Sequence, residues 1–138
     1  MDELRYKHHV CDLLRAMGAD VQQHEDKIEN FIPDLSYAIG NIDGWIEVKY
    51  LRKTPKTLAD LGHLTIGQIE WLKKRGKHGS GQCWLLIGSE QDQLSYLWHY
   101  HQLSGVRHLD WAEATVAAYC GGPLQHVLSA LRYTLRLR

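Results

Sequence analysis

Residues 83–87, a continuous run of apolar side chains, constrain the fold of this chain more than any other segment. Such a run is typical of a strand in the middle of a sheet, where both faces are covered. Residues 45–51 alternate between apolar and polar side chains, and a helical pattern that begins at Thr65 separates the two segments. A strand–helix–strand unit crosses over with a right hand and makes its strands parallel neighbours. The sequence therefore predicts an α/β fold with a mixed central sheet flanked by helices.

The other segments complete the order α-β-β-β-α-β-β-α-α. Helical spacing of apolar residues predicts a first helix over 3–17, and Thr65 and Gln68 have the spacing of a capping box at the start of the second. Gly-Asn and Asp-Gly pairs between the second and third strands supply the turn of an antiparallel hairpin. Strands are expected over 19–23, 31–39, 45–51, 83–87 and 94–98.

Proline, glycine and polar residues predict the structure of two further regions. Residues 52–64 are polar and contain a proline and a glycine, which favours a mobile loop. A helix is predicted from Asp110 to the pair Gly121-Gly122. Pro123 fits the first position of a last helix.

The composition is that of an ordinary globular protein, with 44% hydrophobic and 23% charged residues among 138. We expect one domain, with a core over about 1–98 and a C-terminal helical extension over about 99–138. No apolar run reaches the roughly 18 residues of a membrane helix, and the charged N-terminus has no signal-peptide core. Three widely spaced cysteines are typical of reduced, buried thiols. These features predict a cytoplasmic protein, and the compact form suggests a bacterial or phage origin.

The pair Pro33-Asp34 and, thirteen residues after the aspartate, the triplet Glu47-Val48-Lys49 fall on the predicted hairpin. Glu47 and Lys49 leave the same face of their strand about 7 Å apart, and Asp34 comes alongside from the preceding strand. Hard divalent cations bind carboxylate oxygens, and phosphate chemistry uses a metal ion beside a positive charge. The pattern predicts metal-dependent cleavage of phosphodiester bonds, in which the carboxylates hold the ion while Lys49 reaches the phosphate or the attacking water.

Each part of this pattern is common on its own. A Glu-x-Lys pair is ordinary decoration of an exposed strand, and aspartate after proline is a frequent turn residue. Only the combination, in a strand–turn–strand context, is specific. Other chemistries have less support, because the nine histidines show no zinc spacing with cysteine and the chain has no nucleophile elbow.

The net charge is zero, with 16 basic and 16 acidic residues, so the chain lacks the basic excess of nonspecific nucleic-acid binders. Basic residues nevertheless cluster after the third strand and on the second helix. The candidate DNA-binding residues are Arg52, Lys53 and Lys56 in the first cluster and Lys73, Lys74 and Lys77 in the second. For either cluster alone, an ordinary solvated face is an equal alternative.

With these residues the chain resembles the PD-(D/E)XK nuclease superfamily, and within it the VRR-NUC and archaeal-type Holliday junction resolvase branches. The Pro-Asp and Glu-x-Lys pairs match its two-part motif, and the predicted elements up to residue 98 match its restriction-endonuclease-like αβββαβ core. Glu3, the strand segment 45–49, and Gln68 followed by Trp71 fit positions of those branches. There the first-helix glutamate is metal-associated, although an acidic residue in a first helical turn is favoured by the helix dipole in any case.

The resemblance implies that Asp34 and Glu47 ligate Mg²⁺ or Mn²⁺, with the backbone carbonyl of Val48 as a third ligand. It implies that Lys49 orients or deprotonates the attacking water and stabilises the charge on the phosphorane. Gln68 would position the nucleophile or the DNA backbone, or only cap its helix, and the two roles are compatible.

These observations favour a Mg²⁺-dependent endodeoxyribonuclease that is selective for branched DNA such as Holliday junctions. Cutting a symmetric junction needs two active sites, which predicts a homodimer. Apolar residues of the C-terminal part supply either that interface or packing onto the sheet of the same chain: Trp111, Val116, Tyr119, Leu124, Val127, Leu128 and Leu131. The alternatives are a non-catalytic nuclease-fold protein that binds DNA or a partner, and an unrelated small enzyme in which the Glu-Val-Lys triplet is fortuitous.

Overall fold

The computed structural model describes residues 1–24, 31–61 and 63–136, with side chains up to residue 133. Five α-helices lie in these ranges: α1 (Glu3–Ala16), α2 (Ile66–His78), α3 (Leu103–Val106), α4 (Trp111–Val116) and α5 (Leu124–Ser129). Six strands lie beside them: β1 (Asp20–Gln23), β2 (Leu35–Ile39), β3 (Ile42–Leu51), β4 (Cys83–Ser89), β5 (Leu94–His99) and β6 (Cys120–Gly122). None of the described helices is long and apolar enough to cross a membrane.

The six strands form one mixed sheet in the order β1-β2-β3-β4-β5-β6. β3 and β4 are parallel, and every other neighbouring pair is antiparallel. α2 connects the two parallel strands, because parallel neighbours need a long crossover rather than a hairpin turn. The predicted mixed sheet flanked by helices is therefore confirmed.

β4 lies inside the sheet, and all seven of its residues are buried, as its apolar run predicts. Trp84 and Leu86 face a core closed by α1 and α5. Leu85 and Ile87 face a second core beneath α2, α3 and α4. The sheet is thus covered by helices on both faces. The side chains of β3 therefore lie beside the buried strand β4 and beneath a helical layer.

Local sequence signals determine where α1 begins and ends. The side chain of Asp2 caps it by accepting a hydrogen bond from the Arg5 N–H at 2.8 Å. Gly18 follows its end with a φ of +94°, a conformation that glycine adopts without steric cost. The helix buries Tyr6, Val10 and Leu14, spaced four residues apart, against the sheet.

The predicted hairpin is confirmed with different bounds: it carries the Glu-x-Lys pair, and the Pro-Asp pair directly precedes its first strand. β2 begins at Leu35 rather than at residue 31, and β3 begins at Ile42 rather than at residue 45. The turn is Gly40-Asn41, because Ile39 pairs directly with Ile42. The Asp-Gly pair lies inside β3, where a Cβ atom on Gly44 would be 2.5 Å from the Tyr37 ring. This glycine serves close packing rather than a turn.

The segment after β3 is packed, although its polar composition favours a mobile loop. Leu58, Leu61 and Leu64 are buried in the second core. The backbone of Thr57 forms an isolated bridge with Asp110. These three leucines lie among polar residues, which conceal their apolar pattern in the sequence, and their burial anchors the segment.

The C-terminal part is not purely helical, so the expected helical extension is wrong in one element. The pair Gly121-Gly122, which the sequence indicates as a helix stop, forms β6 together with Cys120 and pairs with β5. Gly121 packs so closely over the Tyr96 ring that an added Cβ would lie 3.0 Å from it. Pro123 precedes α5 as its N-cap instead of occupying its first turn.

Apolar residues of this part pack mainly onto their own chain. Val127, Leu128 and Leu131 are fully buried, and Trp111 is 9% exposed. Val116, at 87% exposure, and Tyr119, at 37%, remain accessible. The same-chain alternative therefore accounts for most of the apolar surface that the sequence left open.

The three cysteines are free, as expected for reduced thiols. Cys11 and Cys83 are buried and Cys120 is partly buried. Burial raises the pKa of the Cys83 thiol to about 12, which keeps it protonated and unreactive near neutral pH.

Candidate active site

The site is built where β3 runs past the end of β2. The two strands pair only as far as Leu35 with Ile46, so the edge of β3 that follows has no ladder partner in β2. Carboxylates take the place of the missing strand. The Val48 N–H donates to Asp34 Oδ2 at 3.1 Å, and the Tyr50 N–H donates to Glu3 Oε1 at 3.2 Å. A single open strand edge therefore gathers two of the acidic residues that the sequence singled out.

Asp34 is held through its backbone as well as its side chain. Its N–H donates to Glu47 Oε1 at 3.2 Å, and its carbonyl accepts a hydrogen bond from the His24 N–H at 2.9 Å. The residue is 8% exposed. The backbone of Asp34 therefore contacts the Glu47 side chain across the hairpin.

Glu47 is the most deeply buried charged residue of the site, at 1% exposure. Its Oε2 lies 3.0 Å from Lys49 Nζ and accepts a hydrogen bond from Gln68 Nε2 at 3.2 Å. Lys49 is only 5% exposed. Because a charge taken out of water needs a partner, the pair on one face of β3 is stabilised by mutual contact rather than by solvent.

Gln68 performs the capping role and reaches the site at the same time. Its Oε1 accepts from the Thr65 N–H at 3.0 Å, and its own N–H donates to Thr65 Oγ1 at 3.2 Å, which completes the predicted capping box. The side-chain amide group is then directed at Glu47. The first turn of α2, whose dipole favours a negative charge, therefore lies against the glutamate.

Lys7 belongs to the site although the sequence reasoning did not select it. Its Nζ lies 3.2 Å from Asp34 Oδ1, and its side chain is 18% exposed. A lysine four residues after Glu3 shares a helix face with it. This spacing on α1 is the signal that could have drawn attention to Lys7.

Glu3 lies farther out, with 37% of its side chain exposed. Its second neighbour is His63, whose Nε2 is 3.9 Å from Oε1. Among the residues that the structure describes, no three His, Cys, Asp or Glu side chains form a group that could hold one ion. The structure thus joins Glu3 to the strand edge, beside Asp34 and Glu47, without bringing all three carboxylates into one such group.

The donors that do converge suit a hard cation. Mg²⁺ is usually held by one or two carboxylates and keeps several waters as its other ligands. Two acidic residues are therefore enough to bind it. The Val48 carbonyl leaves β3 on the same side as its N–H, and that N–H is bound to Asp34. Asp34, Glu47 and the Val48 carbonyl therefore fit the implied ligand set, with Lys7 and Lys49 as the cations that now face the carboxylates.

The candidate DNA-binding residues lie on the surface in two groups. Arg52, Lys53 and Lys56 are exposed directly after β3. Lys73, Lys74 and Lys77 lie on α2 and line an open groove of about 640 Å³ with Tyr100 and His101. Lys73 also contacts Glu70, its Nζ 3.4 Å from the carboxylate.

Comparisons with known proteins give a clear result for structure alone. The sequence matches no family model and no curated protein. The structure is similar to Hjc, a Holliday junction resolvase of the archaeal hyperthermophile Archaeoglobus fulgidus. The TM-score is 0.62 at 14% sequence identity, and the match covers 90% of this chain and 98% of the other.

This chain has a restriction-endonuclease-like fold. The predicted fold class is thereby confirmed. At such low identity the likeness carries no residue roles.

Proposed function

We propose that the protein is a metal-dependent endodeoxyribonuclease of the PD-(D/E)XK superfamily that cuts branched DNA. The observation that carries this proposal is the constellation of the buried residues Asp34, Glu47 and Lys49 with the partly buried Gln68, joined by direct contacts of 3.0 to 3.2 Å. The fold that it shares with a Holliday junction resolvase supports a junction as the substrate. The resemblance to the VRR-NUC branch rests on Glu3, the strand segment 45–49, and Gln68 followed by Trp71.

Each side chain has a role in this proposal. A bound Mg²⁺ or Mn²⁺ would supply Lewis-acid stabilisation of the phosphate and activate water. Asp34 and Glu47 would hold the ion with the Val48 carbonyl. Lys49, at 3.0 Å from Glu47, would orient the attacking water and stabilise the negative charge that develops on the phosphate. Gln68 would keep the Glu47 carboxylate in its orientation.

Cleavage assays test the proposal directly. The protein is incubated with four-way, flap, splayed and linear duplex DNA in the presence of Mg²⁺, Mn²⁺ or EDTA. We expect metal-dependent incision of branched substrates, and a loss of about a hundredfold or more in Asp34→Asn and Lys49→Ala. Asp12→Asn, which removes an exposed carboxylate from α1, is the matched control and should cut like the wild type.

Two results would sink the proposal. One is the absence of metal-dependent cleavage on every substrate. The other is cleavage that survives both substitutions unchanged, which would point to a contaminating nuclease.

A second candidate function is a non-catalytic nuclease-fold protein that binds DNA or a partner. One observation favours it, namely that Lys7 Nζ already faces Asp34 Oδ1 at 3.2 Å where a cation would bind. Binding of a four-way junction without incision, measured by gel shift in the presence of Mg²⁺, would support this candidate over the nuclease.

A further inference from the structure

Two tryptophans and an arginine form a cluster beside the carboxylates. The proposed chemistry gives this cluster no role. The rings of Trp45 and Trp71 meet edge to face with centroids 5.1 Å apart. The Arg75 guanidinium carbon lies 5.7 Å from the Trp45 ring centroid and 5.1 Å from that of Trp71. We call these three residues the Trp–Arg cluster. The side chains of both tryptophans are partly accessible, and Arg75 is exposed.

The cluster adjoins the candidate active site on both of its supporting elements. Trp45 precedes Glu47 by two residues on β3, so both side chains leave the same face of the strand about 7 Å apart. Trp71 follows Gln68 by three residues on α2, which makes them neighbours on one helix face. A strand of DNA held at Glu47 would therefore have the cluster within reach of an adjacent nucleotide.

Arg75 lines two neighbouring clefts whose other charged wall residues have opposite signs. The first, of about 380 Å³, lies against Trp45 and Arg75 and has Asp20 and Asp43 in its wall. The second, of about 390 Å³, lies against Trp71 and Arg75 and has Lys74 and His78 in its wall. Both volumes are in the range of small-ligand sites. The acidic wall of the first disfavours a phosphate, whereas the lysine of the second attracts one.

We propose that the Trp–Arg cluster binds an unpaired nucleobase of the DNA substrate by stacking, with the attached phosphate on the Lys74 side. Indole rings and the planar guanidinium stack on bases. Carboxylates accept hydrogen bonds from the exocyclic amino group of cytosine, which suits Asp20 and Asp43 in the first cleft. This inference rests on the proposed function only in taking DNA as the substrate. It adds a subsite for a base that is not in a duplex.

Binding without cleavage tests the subsite. The intact protein in EDTA at neutral pH is titrated with an oligodeoxycytidylate of about fifteen nucleotides and with an abasic oligonucleotide of the same length, which carries equal phosphate charge. We expect the base-bearing strand to bind about tenfold more tightly, a factor within the range of one stacked base.

Tryptophan fluorescence gives a second readout. Trp84 and Trp98 are fully buried and Trp111 is 9% exposed, so quenching on addition of the base-bearing strand reports on Trp45 and Trp71. We expect quenching by the oligodeoxycytidylate and little by the abasic strand.

Arg75→Lys is the variant that separates stacking from charge. It keeps the positive charge at an exposed position, so the fold is not at risk, but it removes the planar guanidinium. We expect the preference for the base-bearing strand to fall several-fold. Arg5→Lys, at an exposed site on α1, is the matched control and should keep the preference.

Three outcomes would overturn the inference: equal affinity of the wild type for both strands, equal quenching by both, or an Arg75→Lys variant that behaves like Arg5→Lys. These measurements do not depend on incision. A protein that prefers the base-bearing strand but never cuts DNA would refute the nuclease and keep the subsite. A protein that cuts branched DNA but binds both strands equally would support the nuclease and refute the subsite.

Discussion

Charged groups out of solvent define the site at the scale of single residues. The side chains of Asp34, Glu47 and Lys49 are nearly inaccessible, and charges in such surroundings are tolerated only with close partners. Lys7 forms a salt bridge with Asp34, and Lys49 forms one with Glu47. Each carboxylate therefore contacts an ammonium group, and a substitution that removes either partner leaves the other charge buried with less compensation.

Replacing Lys7 tests how its ammonium group competes with a metal ion. Lys7→Gln removes the charge from Asp34 Oδ1, so the metal-free protein should lose about 1–2 kcal/mol of unfolding free energy. Binding of Mn²⁺ should become several-fold tighter, since the ion no longer displaces a lysine. Thermal unfolding at increasing Mn²⁺ concentration measures both effects. Arg5→Gln on the same helix is the control, and an equal response of the two variants would contradict the role of Lys7.

His99 makes stability depend on pH. Burial lowers the pKa of His99 below its usual value of 6.5, a decrease to which the charge of His101 adds and which the hydrogen bond of His99 Nε2 with the Gly81 carbonyl opposes. The unfolded chain therefore binds the proton more readily than the native protein. Stability is fully present above pH 6.5 and decreases as the pH falls from that value through the lowered pKa of the native state.

Urea unfolding at a series of pH values between about 7 and 5 checks this expectation. His99→Gln should flatten the pH dependence of the unfolding free energy relative to the wild type. His108→Gln, at an exposed position, should leave it unchanged. An unaltered slope in His99→Gln would show that other groups cause the acid sensitivity.

At the scale of elements, β3 and the first turn of α2 create the site together. β3 extends beyond β2, which leaves backbone N–H groups for Asp34 and Glu3. α2 begins with a capping box whose glutamine also reaches Glu47. The position of the glutamate is consequently tied to the way in which the helix begins.

Gln68→Glu separates the two functions of this glutamine. Glutamate at N3 still completes a capping box, so the unfolding free energy should fall by no more than about 1 kcal/mol. The donor to Glu47 Oε2 is lost and a second carboxylate takes its place, which should reduce junction cleavage at least tenfold. Thermal unfolding and a cleavage assay on one preparation measure both quantities. A stable variant with full activity would limit Gln68 to capping.

At the scale of the whole molecule, the C-terminal part completes the sheet and one of its covering layers. β6 extends the sheet beyond β5, and α5 closes the first core with Val127 and Leu128. Val116 and Tyr119 stay accessible at the surface of this part. Both side chains could be buried by a symmetric partner.

A homodimer that cuts both strands of a junction should be detectable in solution. We expect a dimer by size-exclusion chromatography with light scattering, and a shift towards monomer in Val116→Asp, because burying the new charge is unfavourable. Leu4→Asp, at an apolar position on α1 that is 55% exposed, is the control. A wild type that remains monomeric at all concentrations would contradict the dimer.

Local patterns predicted the elements whose signals lie in neighbouring residues. The capping box at Thr65, the glycine that follows α1, and the apolar run of β4 are all present in the structure. Residues 120–122 show where local reading fails. Glycines there indicate a stop, but in the structure these residues pair with β5, and Gly121 packs over the Tyr96 ring.

The two-part motif, the alternation that puts Glu47 and Lys49 on one face of a strand, and the class of fold can all be read from the order of the residues. These follow from chain geometry, since spacing along a strand or helix dictates which side chains share a face. Packing between distant elements places Lys7 against Asp34 and Gln68 against Glu47, and it buries both partners of the Glu-x-Lys pair. The first two contacts join residues 27 and 21 positions apart, and their formation depends on how β2, α1 and α2 pack around the open edge of β3.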